Sequence, residues 1–482
     1  MSLDQIDEVI RRGPFTDTWE SLSAYEPPEW YQGLKFGIFI HWGVYSVPAY
    51  ANEWYPRNMY TPGTREFEHH VKVWGPHKTF GYKDFIPLFT AEKFDPAAWA
   101  DLFKKAGAQY VIPVGEHHDG FQMYGSALSH WNALEMGPKR DVVPEVLKAC
   151  RDEGLVGGVS SHRIEHWFFL GHGKDFDSDI KEPLKKGDLY WPSMADPADL
   201  MDFEAENGPS EEFLDDWLER TCEMIDRMKP RILYFDWWIG HKKAAGHVRK
   251  MAAYYYNRAA EWGTGGVINF KHGAFPAGAA VPDVERGQLA DKKPYLWQSD
   301  TSTALNSWCY TEENVFRTPG SLIRDLIDIV SKNGRLLLNF GPRADGTFCE
   351  EDLKILSAIG DWLRVNGEAV YPARPYKVFG EGPTNVEEGF FTEGKEKAWG
   401  PRDFRFTSVP GAVYIFAMGA PADGRYRIGS LGENMGLTGG IRRVTRLGSA
   451  GEAVWRRDGD ALWIFDGDTS DLPAVFRADL KE

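Results

Sequence analysis

Cysteine is scarce in this sequence: Cys150, Cys222, Cys309 and Cys349 are the only four, far apart and without a C-x-x-C pair. That excludes a disulfide-dense scaffold and a zinc ribbon, and it leaves reduced, buried thiols as the expectation. No apolar run reaches the roughly 18 residues a membrane-spanning helix needs. Positive charge is also short. Lys and Arg number 55 against 71 Asp and Glu, a formal charge of −16, which argues against nucleic acid or an anionic membrane as partner and suits a neutral ligand. The opening M-S-L-D-Q-I-D-E-V-I-R-R carries charges where a signal peptide needs its apolar core. The chain as written is therefore expected in the cytoplasm, or in the periplasm or medium if a signal peptide has been removed. No H-E-x-x-H or comparable ligand spacing occurs, so no metal is expected. No G-x-G-x-x-G follows the first strand, which counts against a dinucleotide-binding fold.

What the chain does have is length, aromatic mass and a repeated pattern. With 482 residues and 43% hydrophobic content it suits a large barrel plus an appendage. Its 19 tryptophans supply flat apolar faces, in a core or against a sugar. The organising stretch is R-I-L-Y-F-D-W-W-I-G, residues 231–240, a short buried strand that stops at Asp236 and is followed by two tryptophans. Other short apolar runs alternate with helix-length amphipathic segments. The strands are expected at Phe36 to Ile40, Tyr110 to Val114, Val156 to Val159, G-V-I-N-F-K and Leu336 to Asn339. Helices are expected near 92–107, 142–153, 210–228, 248–262, 322–332 and 351–365. In the first of these, Asp95 caps the start, Pro96 fills the first turn and Gly107 closes the end. Such alternation means parallel βαβ units. The unusual residues His41, His117, His118, His162, Asp236 and Asn269 recur at the C-terminal strand ends, the active face of a (β/α)8-like barrel. Beyond about residue 370 only short alternating runs such as V-Y-I-F-A and A-L-W-I-F remain, which predicts a C-terminal antiparallel β-sandwich. The expected organisation is a lead-in over 1–30, a barrel over 31–370 and the sandwich over 371–482.

Several blocks taken together resemble glycoside hydrolase family 29, the retaining α-L-fucosidases. They are F-G-I-F-I-H-W-G, E-W-Y, H-H-D-G-F, Y-F-D and V-S-K-N-G-R-L-L-L-N-F-G-P-R-A-D-G, followed by I-G-D-W-L-R-V-N-G-E-A-V-Y. They run in the family's order from about Trp30 to Tyr371. The resemblance implies a (β/α) barrel followed by a β-sandwich, and a reaction that uses two carboxyl groups, a nucleophile and an acid that then serves as base. Asp236 matches the nucleophile. Glu285, in V-P-D-V-E-R-G, matches the acid/base loop of some members, with Asp283 and Asp300 as alternatives. A plain solvated loop acid paired with Arg286 is the competing reading of Glu285.

His41, Glu53, Trp54, His117 and His118 match positions that hold the sugar, and Trp238 would help exclude water. His117 and His118 both face a site only if their strand has ended or bulged, because adjacent strand residues point to opposite faces. Three departures bear on substrate. His162 stands in the segment where many members carry a tyrosine, and Lys271 where an arginine is common. Cys309 replaces a glycine beside Trp308, the expected wall for the C6 methyl group. The implied activity is removal of terminal α-L-fucose from a fucosylated glycan or glycoside, without cofactor or metal. Two other readings are a fucose-binding protein that has lost catalysis, and a glycosidase for another 6-deoxy or galacto-configured sugar.

Overall fold

The computed structural model describes residues 1–394, 398–437, 439–467 and 470–481. Eight parallel strands close into a barrel in chain order. They are β1 (Phe36–Ile40), β2 (Tyr110–Glu116), β3 (Val156–Ser161), β4 (Ile232–Phe235), β5 (Val267–Phe270), β6 (Val281–Glu285), β7 (Trp297–Ser302) and β8 (Gly334–Phe340). Closure is made by β1 on β8, with Phe36 opposite Leu336 and Ile40 opposite Phe340.

The expected elements are present, with ends shifted by a few residues. The helix Pro96–Lys105 is capped by the Asp95 carboxylate, which accepts from the amides of Ala97 and Ala98. The helix Glu211–Met228 is capped by Ser210, and its apolar face buries Leu214, Trp217, Leu218 and Ile225. No helix of the described residues is long and apolar enough to cross a membrane.

Two strands, β6 and β7, are additions to the sequence reading. The stretch W-Q-S-D-T-S is polar, yet every residue of β7 is buried. Most of its polar side chains find partners within the protein: Gln298 Nε2 donates to Asp283 (2.7 Å) and Ser299 Oγ to the Gly287 carbonyl (2.7 Å), while one oxygen of Asp300 is left without a hydrogen bond. A buried strand built on internal hydrogen bonds has no apolar run to betray it. No helix separates β5 from β6 or β6 from β7, so the outer helical ring is open there. The opening forms a cavity of about 900 Å³ walled by Tyr25, Phe275, Tyr295 and Arg374.

After the helix Glu350–Asn366 the chain turns antiparallel. It continues with β9 (Arg374–Glu381), β10 (Phe404–Val409), β11 (Ala412–Ala417), β12 (Arg425–Ile428), β13 (Ile441–Arg446), β14 (Val454–Arg457), β15 (Leu462–Phe465) and β16 (Ala474–Leu480). A five-stranded sheet, ordered β13-β16-β11-β10-β9, faces a three-stranded sheet, β12-β15-β14. Phe406, Ile415 and Phe476 of the first share one core with Ile428, Leu462 and Ile464 of the second.

This unit is fastened to the barrel by a buried charge cluster. Asp328, on the helix Pro319–Ser331, accepts from Lys332 Nζ (2.6 Å) and from Arg405 Nε of β10. All three side chains are at most 4% exposed. Removing one partner of such a buried cluster leaves the other charges uncompensated. Asp328→Ala is therefore expected to cost about 3–5 kcal/mol, read as a lower urea midpoint. Asp361→Ala, which breaks an exposed pair with Arg364, should stay within about 1 kcal/mol of wild type in the same measurement.

Candidate active site

At the C-terminal ends of the barrel strands lies a cavity of about 540 Å³, and all eleven residues expected from sequence line it: Asp236, Glu285, His41, Glu53, Trp54, His117, His118, His162, Trp238, Lys271 and Trp308. The larger opening described above is walled mainly by apolar side chains and holds none of these eleven. The chemistry-bearing groups are gathered in the smaller one.

The central residues are held by the ends of strands. Strand β4 stops at Phe235 and delivers Asp236, whose side chain remains 14% exposed. Asp236 Oδ2 accepts from His162 Nδ1 (3.2 Å), just beyond β3. Lys271, just beyond β5, places Nζ 3.2 Å from Asp236 Oδ1, 2.5 Å from Glu285 Oε2 and 3.4 Å from Asp300 Oδ2. Glu285 Oε2 also accepts from Trp237 Nε1 (2.6 Å).

These contacts set the charges. Burial opposes ionisation of Asp236, but the Lys271 ammonium and the His162 hydrogen bond outweigh it and hold the carboxyl well below its ordinary range. Burial also dominates at Glu285. Lys271 works against it, Asp300 and Asp236 add to it, and the carboxyl is pushed up to about 7. Lys271 itself is buried, which alone would lower it, but the surrounding carboxylates hold it well above its usual value. Two nearby carboxyls are thus driven apart in acidity, the pattern of an acid and base pair.

The histidines have definite tautomers. His41 Nδ1 faces Asn339 Oδ1 (2.8 Å), while the Asn339 amide donates to the Trp308 carbonyl (2.6 Å), so His41 carries its proton on Nδ1. His118 Nδ1 faces the His162 carbonyl (3.1 Å) and is likewise protonated there. Burial keeps both rings neutral, His118 down to about 3. Both therefore have an unprotonated Nε2 able to accept from a hydroxyl.

Strand β2 ends at Glu116, with a register shift just before it. His117 and His118 lie past that end, so the alternation of a strand does not separate them, and both reach the cavity with rings 4.0 Å apart. Glu53 accepts from the Trp308 amide (2.8 Å) and Ser307 Oγ (3.3 Å), which fixes the Trp308 loop.

Some expectations need correction. Glu285 is the last residue of β6, not a loop carboxyl, and is 8% exposed. Its partners are Lys271 and Trp237, whereas Arg286 sends its guanidinium to the carbonyls of Ala304 and Ser307. Of the alternatives, Asp300 lines the cavity but Asp283 does not. Tyr234 OH donates to Asp300 (2.9 Å). Cys309 is buried, and its backbone amide donates a hydrogen bond to Ser307 Oγ (3.1 Å). Among residues the sequence reading passed over, Glu165 lines the cavity. Its Oε2 is buried and makes no hydrogen bond, although His118 Nδ1 lies 3.3 Å away. Its place just after β3, in S-S-H-R-I-E-H-W, is the available signal. Leu200, Met201 and Phe391 also line the cavity, and nothing local in the sequence marks them.

A family model described as alpha-L-fucosidase matches residues 3–368. The chain belongs to the α-L-fucosidase family. It is accordingly a glycoside hydrolase. Tissue alpha-L-fucosidase of Rattus norvegicus is 29% identical over 458 residues, spanning 92% of this chain and 86% of that protein. Plasma alpha-L-fucosidase of Homo sapiens is 30% identical across 75% of this chain and 73% of its own. The crystal structure of Thermotoga maritima alpha-fucosidase in complex with fucose superposes with a TM-score of 0.75 at 30% identity, covering 96% of this chain and 100% of that one.

Within this family member, Lys271 is the sole cation among the described residues within ion-pair distance of Asp236, apart from the histidines. Lys271→Met is expected to raise the pKa of Asp236, because the ionised carboxylate loses the opposite charge that favours it. The acidic limb of the pH–activity profile should move up accordingly.

Proposed function

We propose that the protein is a retaining exo-α-L-fucosidase that works through a covalent fucosyl-enzyme intermediate, with Asp236 as nucleophile and Glu285 as acid and then base. One observation carries this reading. A single Lys271 Nζ lies 3.2 Å from an oxygen of Asp236 and 2.5 Å from one of Glu285, so these oxygens are no more than about 5.7 Å apart, near the separation of about 5–5.5 Å used for double displacement and short of the roughly 6.5 Å or more that admits a water between the carboxyls.

The steps follow from the charges. Asp236 is ionised, with Oδ2 fixed by His162 and Oδ1 accepting no hydrogen bond. Oδ1 attacks the anomeric carbon while Glu285, protonated below about pH 7, gives its proton to the leaving oxygen. Loss of that proton makes Glu285 the base that draws a hydrogen from water, and the water releases fucose from Asp236. Sugar hydroxyls donate to the bare Nε2 atoms of His41 and His118 and meet His117, whose buried Nδ1 has no hydrogen-bond partner in the protein. Glu53 orders the wall that carries Trp308. The indole of Trp308, packed over Arg286 (4.7 Å to the ring centre), offers the methyl group an apolar face. The substrate class is a fucosylated glycan or glycoside, in keeping with the fucose bound by the Thermotoga relative.

Hydrolysis of an aryl α-L-fucoside tests the assignment. Asp236→Ala should lose activity by about four orders of magnitude or more, the scale of removing a covalent catalyst. Glu285→Ala should keep turnover of an activated aryl leaving group and be accelerated by azide, with α-fucosyl azide as product, since azide attacks the β-linked intermediate without a base and inverts it a second time. A Glu285→Ala variant near wild type would move the acid to Asp300 or Glu165. A wild type inactive on fucosides but active on another aryl glycoside would change the sugar.

The pH profile gives a second test. Because Glu285 must be protonated and is raised to about 7, kcat/KM should fall above about pH 7 with unit slope. Because Asp236 is held well below its ordinary range, the acidic limb should come only below the usual carboxylate region. Glu285→Gln should abolish the alkaline limb on an activated substrate.

A further inference from the structure

Residues 388–393 belong by sequence to the C-terminal part of the chain, yet they lie along the barrel rim as a strap. Its backbone amides at Gly389, Phe391 and Glu393 donate to the carbonyls of Gln288 (3.0 Å), Glu285 (2.9 Å) and Arg286 (2.9 Å), the residues that end and follow β6. Gly287 has no room for a side chain there, since a Cβ would sit 1.9 Å from the Gly389 carbonyl oxygen. Glu393 anchors the strap by accepting from Thr301 Oγ1 (2.7 Å) and from Arg317.

The strap's crest is Phe390 and Phe391, and both rings pack on Trp237, at 4.6 and 5.9 Å between centroids. The ring of Phe391 lies parallel to the indole, at 9°, and that indole donates its hydrogen to Glu285. Phe391 is thus one ring away from the carboxyl that must meet the leaving oxygen. It is also held in a left-handed conformation, φ 55°, disfavoured for a residue with a Cβ, and it is 49% exposed while lining the cavity. Met201, from the segment before the helix Glu211–Met228, lines the same cavity and is 53% exposed. Two large apolar side chains from distant parts of the chain therefore stand uncovered at the rim of a cavity whose floor is polar.

We propose that Phe391 and Met201 form the leaving-group subsite, gripping an aglycone by an apolar face, either an aryl ring or the C–H face of a pyranose. This rests on the fucosidase reading above and deepens it. A sugar seated against Asp236 and the histidines must direct its glycosidic oxygen toward Glu285, and the group beyond that oxygen then meets the ring stacked on Trp237. An aromatic face and a flexible thioether suit such a partner, because they accept apolar surface without demanding particular hydroxyls. The C-terminal part of the chain would then take a direct part in choosing the substrate.

The test compares wild type, Phe391→Ala, Phe391→Tyr and Met201→Ala on methyl α-L-fucoside, an aryl α-L-fucoside and a fucosyl disaccharide. The methyl aglycone still needs its oxygen protonated but has no face to grip. The expected result is that Phe391→Ala lowers kcat/KM for the disaccharide or the aryl fucoside about tenfold relative to methyl fucoside, that Phe391→Tyr restores the ratio, and that Met201→Ala lowers it in the same direction. Loss confined to one of the two larger substrates identifies the aglycone served. An equal fall on all three substrates would overturn the proposal, by showing that the ring only supports Trp237 and Glu285. Unchanged ratios in both alanine variants would overturn it as well. A wild type that hydrolyses no fucoside would instead reject the proposed function, and the subsite with it.

Discussion

The candidate site depends on one buried ammonium. Lys271 stands among Asp236, Glu285 and Asp300 with almost no solvent to screen it, in surroundings where three carboxylates would otherwise repel one another and be expelled or protonated. Its position decides which carboxyl keeps the charge. Asp236 has the ammonium on one oxygen and an imidazole hydrogen on the other, and it stays ionised. Glu285 shares the same ammonium but also lies near Asp236 and Asp300, and it is left with a proton to give near neutral pH. An arginine would hold two oxygens of one carboxylate in a planar fork. A lysine is a point charge, and here it divides itself among three groups.

The fold makes that arrangement possible by separating its sources. Asp236, Lys271 and Glu285 come from the ends of three successive strands, β4, β5 and β6, so their spacing is set by the sheet rather than by loops. Behind them a second buried network does similar work: Arg163 joins Glu116 to Asp216, and Arg220 contacts both acids. It ties the end of β2 to the segment after β3, the two places that supply His117, His118 and His162. The strap from the C-terminal part then borders the side of the barrel where helices are missing, with Phe390 in the wall of that opening and Phe391 in the wall of the candidate site.

Much of this was legible in the sequence, and the reason is physical. A strand end that carries a charge or an imidazole next to an apolar run is conspicuous, so Asp236, His41 and the His117–His118 pair stood out, and the barrel followed from the alternation of strands and helices. Strand β7 was not legible because its buried side chains are polar and offset their desolvation through internal hydrogen bonds. With β6 and β7 unread, Glu285 looked like a loop residue, although its neighbours in the family blocks were recognised. Glu165 follows the same strand as His162, a weak signal that gains weight only once the fold buries a carboxyl oxygen without a hydrogen bond. The strap could not be read at all: Phe391 is remote in sequence from the groups it packs on, and only the folded chain shows that it rejoins the barrel.

The central claim is that Asp236 is the residue to which the sugar is transferred. The most direct measurement is to incubate the protein with a 2-deoxy-2-fluoro-fucosyl fluoride, which forms an intermediate readily and releases it slowly, and to map the adduct by peptide mass spectrometry. The account predicts one fluorofucosyl group per chain, carried on Asp236 and lost on prolonged incubation in water. An adduct on Glu285 or Asp300, or no adduct together with β-fucose as the first product released from an aryl α-L-fucoside, would contradict it.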